Sequence, residues 1–205
     1  MKLCIIRHGE TVYNLEERMQ GLRDIELTPR GLSEAEMLGT KLRENKLFPD
    51  KIYTSPVKRA YCTAVSMGFD IPIISSPGLR SRSLGVLEGL SKTEINQKFP
   101  GYLQLLRHWN WCPPGADESL KSIFIRANEE IEKIILNEAN KGLAVAVTHS
   151  GVLEALIRGW FSIEEGAPLP FVLKNAGALI FRKNNSQWQS EGSIDSGEAG
   201  FIDCA

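Results

Sequence analysis

The stretch Leu3-Cys4-Ile5-Ile6-Arg7-His8-Gly9-Glu10 decides the reading of this chain. Its first half is a continuous apolar run with β-branched residues, the pattern of a strand buried on both faces, and it stops at an Arg-His pair. In an open α/β sheet, ligands sit outside the carboxyl ends of the strands. Arg7 and His8 therefore fall where chemistry is expected, and Gly9 lets the backbone turn sharply or approach a ligand closely. Taken alone, the pair reads as a strand that merely ends in polar residues. A second apolar run, Leu143-Ala144-Val145-Ala146-Val147-Thr148, ends in the same way at His149, followed by Ser150-Gly151 and a helical pattern. Of the three histidines, His8, His108 and His149, two thus close predicted core strands. Parallel pairing of those strands would bring both to one rim.

Composition bounds the alternatives. A chain of 205 residues can bury the core of one large α/β domain. Its 42% hydrophobic and 24% charged residues are ordinary for a globular protein. A net charge of −1 gives no reason to expect a nucleic-acid or anionic-membrane partner, so any anion site must be local. The four cysteines, Cys4, Cys62, Cys112 and Cys204, have no paired spacing, and Cys4 lies inside a predicted strand, where it reads as a small hydrophobe. The apolar run after Lys2 is too short for a signal-peptide core, and no stretch is long enough for a membrane span, which makes a cytoplasmic location the expectation.

In chain order, Thr11 to Glu26 reads as irregular. Thr28-Pro29 then opens a helix, with threonine as N-cap, proline in the first turn and an apolar face of Leu32, Ala35, Leu38 and Leu42. A short strand at 51–54 runs into Ser55-Pro56, read as a second N-cap and first-turn proline. This places Arg59 about one turn from a helix N-terminus, where an anion is favoured. Residues 71–74 give an edge strand, 75–89 a loop, and Ser91-Lys92-Thr93-Glu94 a capping box. Residues 102–116, with Trp109 and Trp111, read as an insert or lid, and His108 has no partner at metal-ligand spacing. A helix from Ser119 carries a stripe of Leu120, Ile123, Phe124, Ala127, Ile131, Ile134 and Ile135, with Arg126 on an outer face. Shorter late strands are expected at 171–173, 178–181 and 187–189. One domain is expected over 1–190, with a flexible tail over 191–205.

Taken together, these segments resemble the histidine phosphatase superfamily in its cofactor-dependent phosphoglycerate mutase-like branch. The resemblance rests on Arg7-His8-Gly9-Glu10-Thr11 with Asn14, Gln20-Gly21 and Asp24, and on Leu27-Thr28 with Gly31. It also rests on Ser55-Pro56-Val57-Lys58-Arg59-Ala60, the loop Gly85-Val86-Leu87-Glu88-Gly89, Pro113-Pro114-Gly115 with Glu118-Ser119, and Thr148-His149-Ser150-Gly151-Val152. Five segments in one order are far more specific than any one of them. The resemblance implies a three-layer αβα fold with a mostly parallel central sheet. It further implies that His8 is the nucleophile that becomes phosphorylated, that Arg7, Arg59 and His149 form the phosphate pocket, and that Asn14 adds a hydrogen bond. Gln20, Gly21, Ser81, Glu88, Ser150 and Gly151 are candidate substrate contacts. No metal and no cofactor are called for, because phosphoryl transfer needs mainly positioning and cations for the equatorial oxygens.

Two departures stand out. Aligning Leu79-Arg80-Ser81 with the branch's Leu-x-Glu segment puts Ser81 where the proton-donating acid belongs. The acid phosphatase branch places an aspartate directly after the second histidine, and here that position is Ser150. General acids typically contribute about 10² to 10⁴-fold, so slow hydrolysis of alkyl phosphates is expected unless Glu88, Glu10 or a Ser81-bound water protonates the leaving group. The expected activity is that of a phosphatase on a small phosphorylated metabolite. A mutase is the runner-up because Lys92 falls at a mutase's substrate lysine, although only Arg107-His108 stands for the Arg-Arg insert. A non-catalytic phosphate-binding protein is the third reading. A Rossmann enzyme is disfavoured, since no Gly-x-Gly-x-x-Gly follows the first strand. Nothing in the sequence specifies an oligomeric state.

Overall fold

A computed structural model describes residues 1–138, 142–170, 174–185 and 187–195. Six strands form one sheet in the order β3-β2-β4-β1-β5-β6. They are β1 (Lys2–Arg7), β2 (Ile52–Thr54), β3 (Ile73–Ser75), β4 (Leu143–Thr148), β5 (Ala178–Asn184) and β6 (Gln187–Ile194). The pairings β1 with β4, β4 with β2 and β2 with β3 are parallel, and β5 and β6 close the other side antiparallel. The register pairs Arg7 with Thr148, so the residues that follow, His8 and His149, emerge side by side at one rim.

Among the described residues seven α-helices accompany the sheet: α1 (Val12–Leu15), α2 (Pro29–Glu44), α3 (Lys58–Ser66), α4 (Lys92–Lys98), α5 (Tyr102–Leu105), α6 (Leu120–Asn137) and α7 (Ser150–Trp160). On one face Leu38, Leu42, Ala60 and Ala64 of α2 and α3 pack on Cys4, Ile6, Val145 and Val147. On the other, Ile123, Ala127, Ile131, Val152 and Leu156 of α6 and α7 pack on Leu3, Ile5, Ala144 and Ala146. Alternate residues of β1 and β4 thus feed opposite cores, which is why both runs are apolar throughout. The result is the three-layer αβα arrangement expected from the sequence.

Several local expectations hold. Thr28 Oγ1 accepts from the Gly31 N–H at 2.9 Å with Pro29 in the first turn, and the Ser91–Glu94 capping box is formed. Others need correction. Leu32 is 40% exposed, because Gly31, Ala35, Leu38 and Leu42 set the buried face of α2 and Leu32 lies to its side. Ser55 does not cap α3, which begins after Val57. Arg126 turns inward, pairing with Glu118 and donating to the carbonyls of Gly78 and Ser81. Strands β5 and β6 are the longest in the sheet rather than short, and β6 runs to Ile194, inside the segment expected to be a flexible tail. The expected strand at 171–173 lies outside the described residues. No helix among the described residues is long and apolar enough to cross a membrane.

Candidate active site

His8 leaves β1 3% exposed, with its backbone N–H bound to the Thr148 carbonyl at 3.0 Å. Its Nδ1 lies 2.8 Å from the carbonyl oxygen of Gly9. A carbonyl can only accept, so Nδ1 carries the proton and Nε2 keeps its lone pair. Burial, then the charges of Arg59 and Arg7, hold the pKa of His8 well below the usual histidine value, against the opposing Gly9 hydrogen bond. The ring is therefore neutral at ordinary pH, with its Nε2 unprotonated.

The His149 ring centroid lies 5.3 Å from that of His8. His149 caps α7 without a side-chain capping bond, and its Nε2 lies 2.8 Å from Ser55 Oγ. That oxygen already accepts from the Val57 N–H at 3.2 Å, and its hydroxyl has no other acceptor in reach among the described residues. The hydroxyl donates to Nε2, which puts the imidazole proton on Nδ1, a buried atom with no partner. Burial, followed by the charges of Arg59 and His8, drives the pKa of His149 well below the usual value. His149 is therefore neutral at ordinary pH. A phosphoryl oxygen would satisfy the orphan N–H and offset those cations.

Arg59, on the first turn of α3, is 1% exposed and donates to the Arg23 and Gly21 carbonyls, both at 2.8 Å. Burial lowers its pKa to about 10, with Asp24 and Glu88 opposing. Arg7 closes β1 beside it, its pKa also lowered by burial. Asn14 Oδ1 accepts from the Thr11 N–H, the Thr11 hydroxyl and the Asn175 side-chain amide at 3.1, 2.9 and 2.9 Å. With the oxygen so occupied, Nδ2 is the end left to donate into the cleft. Thr63 joins the two halves: its Oγ1 accepts from the Gly9 N–H at 2.9 Å and its hydroxyl donates to the Arg59 carbonyl at 2.7 Å.

At Gly9 a Cβ would lie 2.5 Å from the Gly31 carbonyl oxygen, so the backbone there lies close against the start of α2. Gly21, at φ +56°, turns its carbonyl to Arg59, and a Cβ there would run into the Glu88 carboxylate. Glu88 itself does not line the cleft. Its Oε1 accepts from the backbone N–H groups of Leu22 and Leu84 at 3.2 and 3.0 Å, tying the two loops together from behind. Glu10 is likewise engaged elsewhere, accepting from the Thr28 hydroxyl at 2.9 Å.

Arg7, His8, Asn14, Gln20, Gly21, Arg59, Ser81, His149, Ser150 and Gly151 all line one cleft of about 440 Å³. Ser81 is buried within it, and Leu106 of the insert forms part of the wall. The insert packs Tyr102 and Trp111 on Leu84, Leu87 and Ile95, whereas Trp109 packs beside Phe124 on the core under α6 and α7. Buried Arg82 clamps it by donating to the carbonyls of Leu106 and Trp111 at 2.8 and 3.0 Å. His108 stands outside, half-exposed against Glu165. No cluster of three or more His, Cys, Asp or Glu suited to a metal occurs among the described residues. Sequence reading missed the roles of Ser55, Thr63 and Asn175. Ser55 left a usable signal, since it directly follows β2 at the same rim.

An enclosure of this kind takes an anion, and a neutral histidine with one free ring nitrogen beside two guanidiniums defines a phosphoryl-transfer enzyme. The chain belongs to the histidine phosphatase superfamily, branch 1, whose family model matches residues 3–195. It is 37% identical over 163 residues to a 2,3-bisphosphoglycerate-dependent phosphoglycerate mutase of Cytophaga hutchinsonii, covering 76% of this chain and 75% of the relative. Among solved structures it resembles a mycobacterial glucosyl-3-phosphoglycerate phosphatase complexed with VO3, at 27% identity and TM-score 0.80, over 93% of this chain and 96% of that one. A phosphoserine phosphatase mutant of Entamoeba histolytica in complex with phosphoserine aligns at 27% identity and TM-score 0.78, over 96% and 98% of the two chains.

Proposed function

We propose that this protein is a phosphatase that hydrolyses a small phosphorylated metabolite through a phosphohistidine on His8. The observation that carries this is the hydrogen bond from His8 Nδ1 to the Gly9 carbonyl, which leaves Nε2 as a lone pair in a cleft lined by Arg7, Arg59 and His149. Nε2 attacks phosphorus, and the ester P–O bond breaks with its electron pair on the leaving oxygen. Arg7, Arg59, the Asn14 amide and His149 Nδ1–H stabilise the equatorial oxygens. Water then attacks the phosphohistidine and releases phosphate and the free imidazole. Likeness to phosphatases of glucosyl-3-phosphoglycerate and phosphoserine supports this reading. The resemblance to a bisphosphoglycerate-dependent mutase, with Lys92 in the cleft wall, keeps a mutase as the second reading.

Rapid quench after mixing with an aryl phosphate tests the proposal. An acid-labile phosphoenzyme is expected in the wild type and none in His8→Ala. A phosphoenzyme that survives in His8→Ala, or none in the wild type, overturns it. Stimulation of phosphoglycerate interconversion by 2,3-bisphosphoglycerate would instead favour the mutase.

A further inference from the structure

A second cavity, of about 450 Å³, takes no part in the chemistry described so far. Three elements line both it and the cleft. On α6 Leu120 faces the cleft, and Phe124, one turn on, faces the second cavity. On α7 the same step leads from Glu154 to Arg158, and Arg158 Nε donates to Glu154 Oε1 at 3.0 Å. In the insert Leu106 belongs to the cleft and Arg107, the next residue, to the cavity. The two hollows are thus successive stretches of one groove that runs along α6 and α7 beside the insert.

The second stretch is preformed and apolar. The Phe124 ring lies across the bare backbone of Gly159, where a Cβ would come within 2.1 Å of it. The Trp109 ring centroid stands 5.7 Å from that of Phe124, and Ile163 adds an aliphatic wall. The insert is fastened there on several sides. Arg82 holds the carbonyls of Leu106 and Trp111, the Lys121 N–H holds that of Trp109 at 2.8 Å, and Glu165 accepts from the Trp109 N–H. Arg158, 3% exposed, is fully engaged by Glu154 and by the carbonyls of Glu164 and Ala167, so it has no donor left for a ligand. A fixed hollow with two rings and its buried cation already paired suits a flat apolar group.

We propose that this cavity holds the far end of the leaving group, so that the substrate is the phosphate monoester of a long alcohol ending in an aromatic or other flat apolar group. From Ser150 in the cleft to Arg158, two turns of α7 span about 12 Å, which is the reach the alcohol needs. Along the way stand Leu106, Leu120 and the mutually neutralised Glu154 and Arg158, which ask for no charge on the linking chain. Binding energy gathered at the distal ring would orient the phosphoryl group for attack by His8.

The proposal rests on the phosphatase reading for its meaning, but its test needs binding alone. 8-Phenyloctyl phosphate is long enough to place its ring in the cavity, and 2-phenylethyl phosphate is not. Calorimetry on the catalytically blocked His8→Ala protein compares the two below the micelle threshold of the longer ester. The longer ester is expected to bind about tenfold tighter or more. Most of that advantage should vanish in His8→Ala/Trp109→Ala, with the shorter ester bound as before. Asn110 is exposed at the cavity rim, so His8→Ala/Asn110→Trp crowds the hollow without removing core packing, and it decides the question should Trp109→Ala fail to fold. Equal binding of the two esters, or an advantage that survives these substitutions, overturns the proposal even where the wild type forms its phosphoenzyme. Absence of a phosphoenzyme in the wild type would count against the phosphatase reading alone.

Discussion

Individual side chains set the state of this cleft through the bonds they make away from it. His8 is poised because Nδ1 is tied to its neighbour's carbonyl, and Asn14 offers its amide because three donors occupy its oxygen. Ser81 shows the opposite case, a buried cleft residue for whose hydroxyl no protein partner is found among the described residues. Ser81→Glu is therefore expected to raise kcat/KM on an alkyl phosphate by about tenfold or more and to change an aryl phosphate much less, since the aryl oxide leaves unaided. Steady-state kinetics on both substrates checks this, and equal changes on the two would show that the serine is not what limits the alkyl ester. His8, Arg7 and His149 were legible because apolar runs that stop at polar residues mark strand ends, and Arg59 because a Ser-Pro pair after a short strand marks the start of a helix. Ser55 was not, because Ser-Pro before a helix has the same spelling whether the serine caps the helix or binds an imidazole.

Elements place these residues, and two loops are held by buttresses that sequence patterns do not reveal. Glu88 bridges the backbone at Leu22 and Leu84 and backs Gly21, whose carbonyl anchors Arg59. Glu88→Ala leaves two N–H groups without that acceptor and is expected to cost about 1–3 kcal/mol of stability. It should raise KM through a displaced Arg59, while the ratio of aryl to alkyl turnover stays put; urea melts and kinetics together check it. A selective loss on alkyl phosphates would make Glu88 a proton donor after all. The capping boxes and apolar stripes of α2, α4 and α6 could be read because they are local in sequence. The lengths of β5 and β6 could not. Their residues 182–184 and 189–193 are polar or small, and cross-strand pairing rather than composition makes them strand.

For the molecule as a whole, two buried parallel strands could be read from their apolar runs and the αβα layering from the family resemblance, whereas the antiparallel edge depended on long-range pairing. The same burial that builds the core gives the protein an acid weakness. Both buried histidines have folded-state pKa values well below the unfolded value of 6.5, so below that pH the unfolded chain binds more protons than the native one. Unfolding free energy therefore falls as pH drops through about 6.5 and keeps falling toward the depressed native values, by up to about 1.4 kcal/mol per pH unit for each ring. Denaturant melts between about pH 5 and 6.5 should show this slope, a His8→Asn/His149→Asn protein should lose most of it, and millimolar inorganic phosphate should flatten it by offsetting the cations. An unchanged slope in the double variant would place the acid sensitivity elsewhere. Thr63 adds a mechanical consequence. One hydroxyl fastens both the loop that follows the His8 imidazole and the helix that carries Arg59, so the two are tied together as one part. Loosening α3 by heat or substitution would shift them together relative to His149, degrading alignment with the second imidazole before it disturbs the spacing between His8 and Arg59.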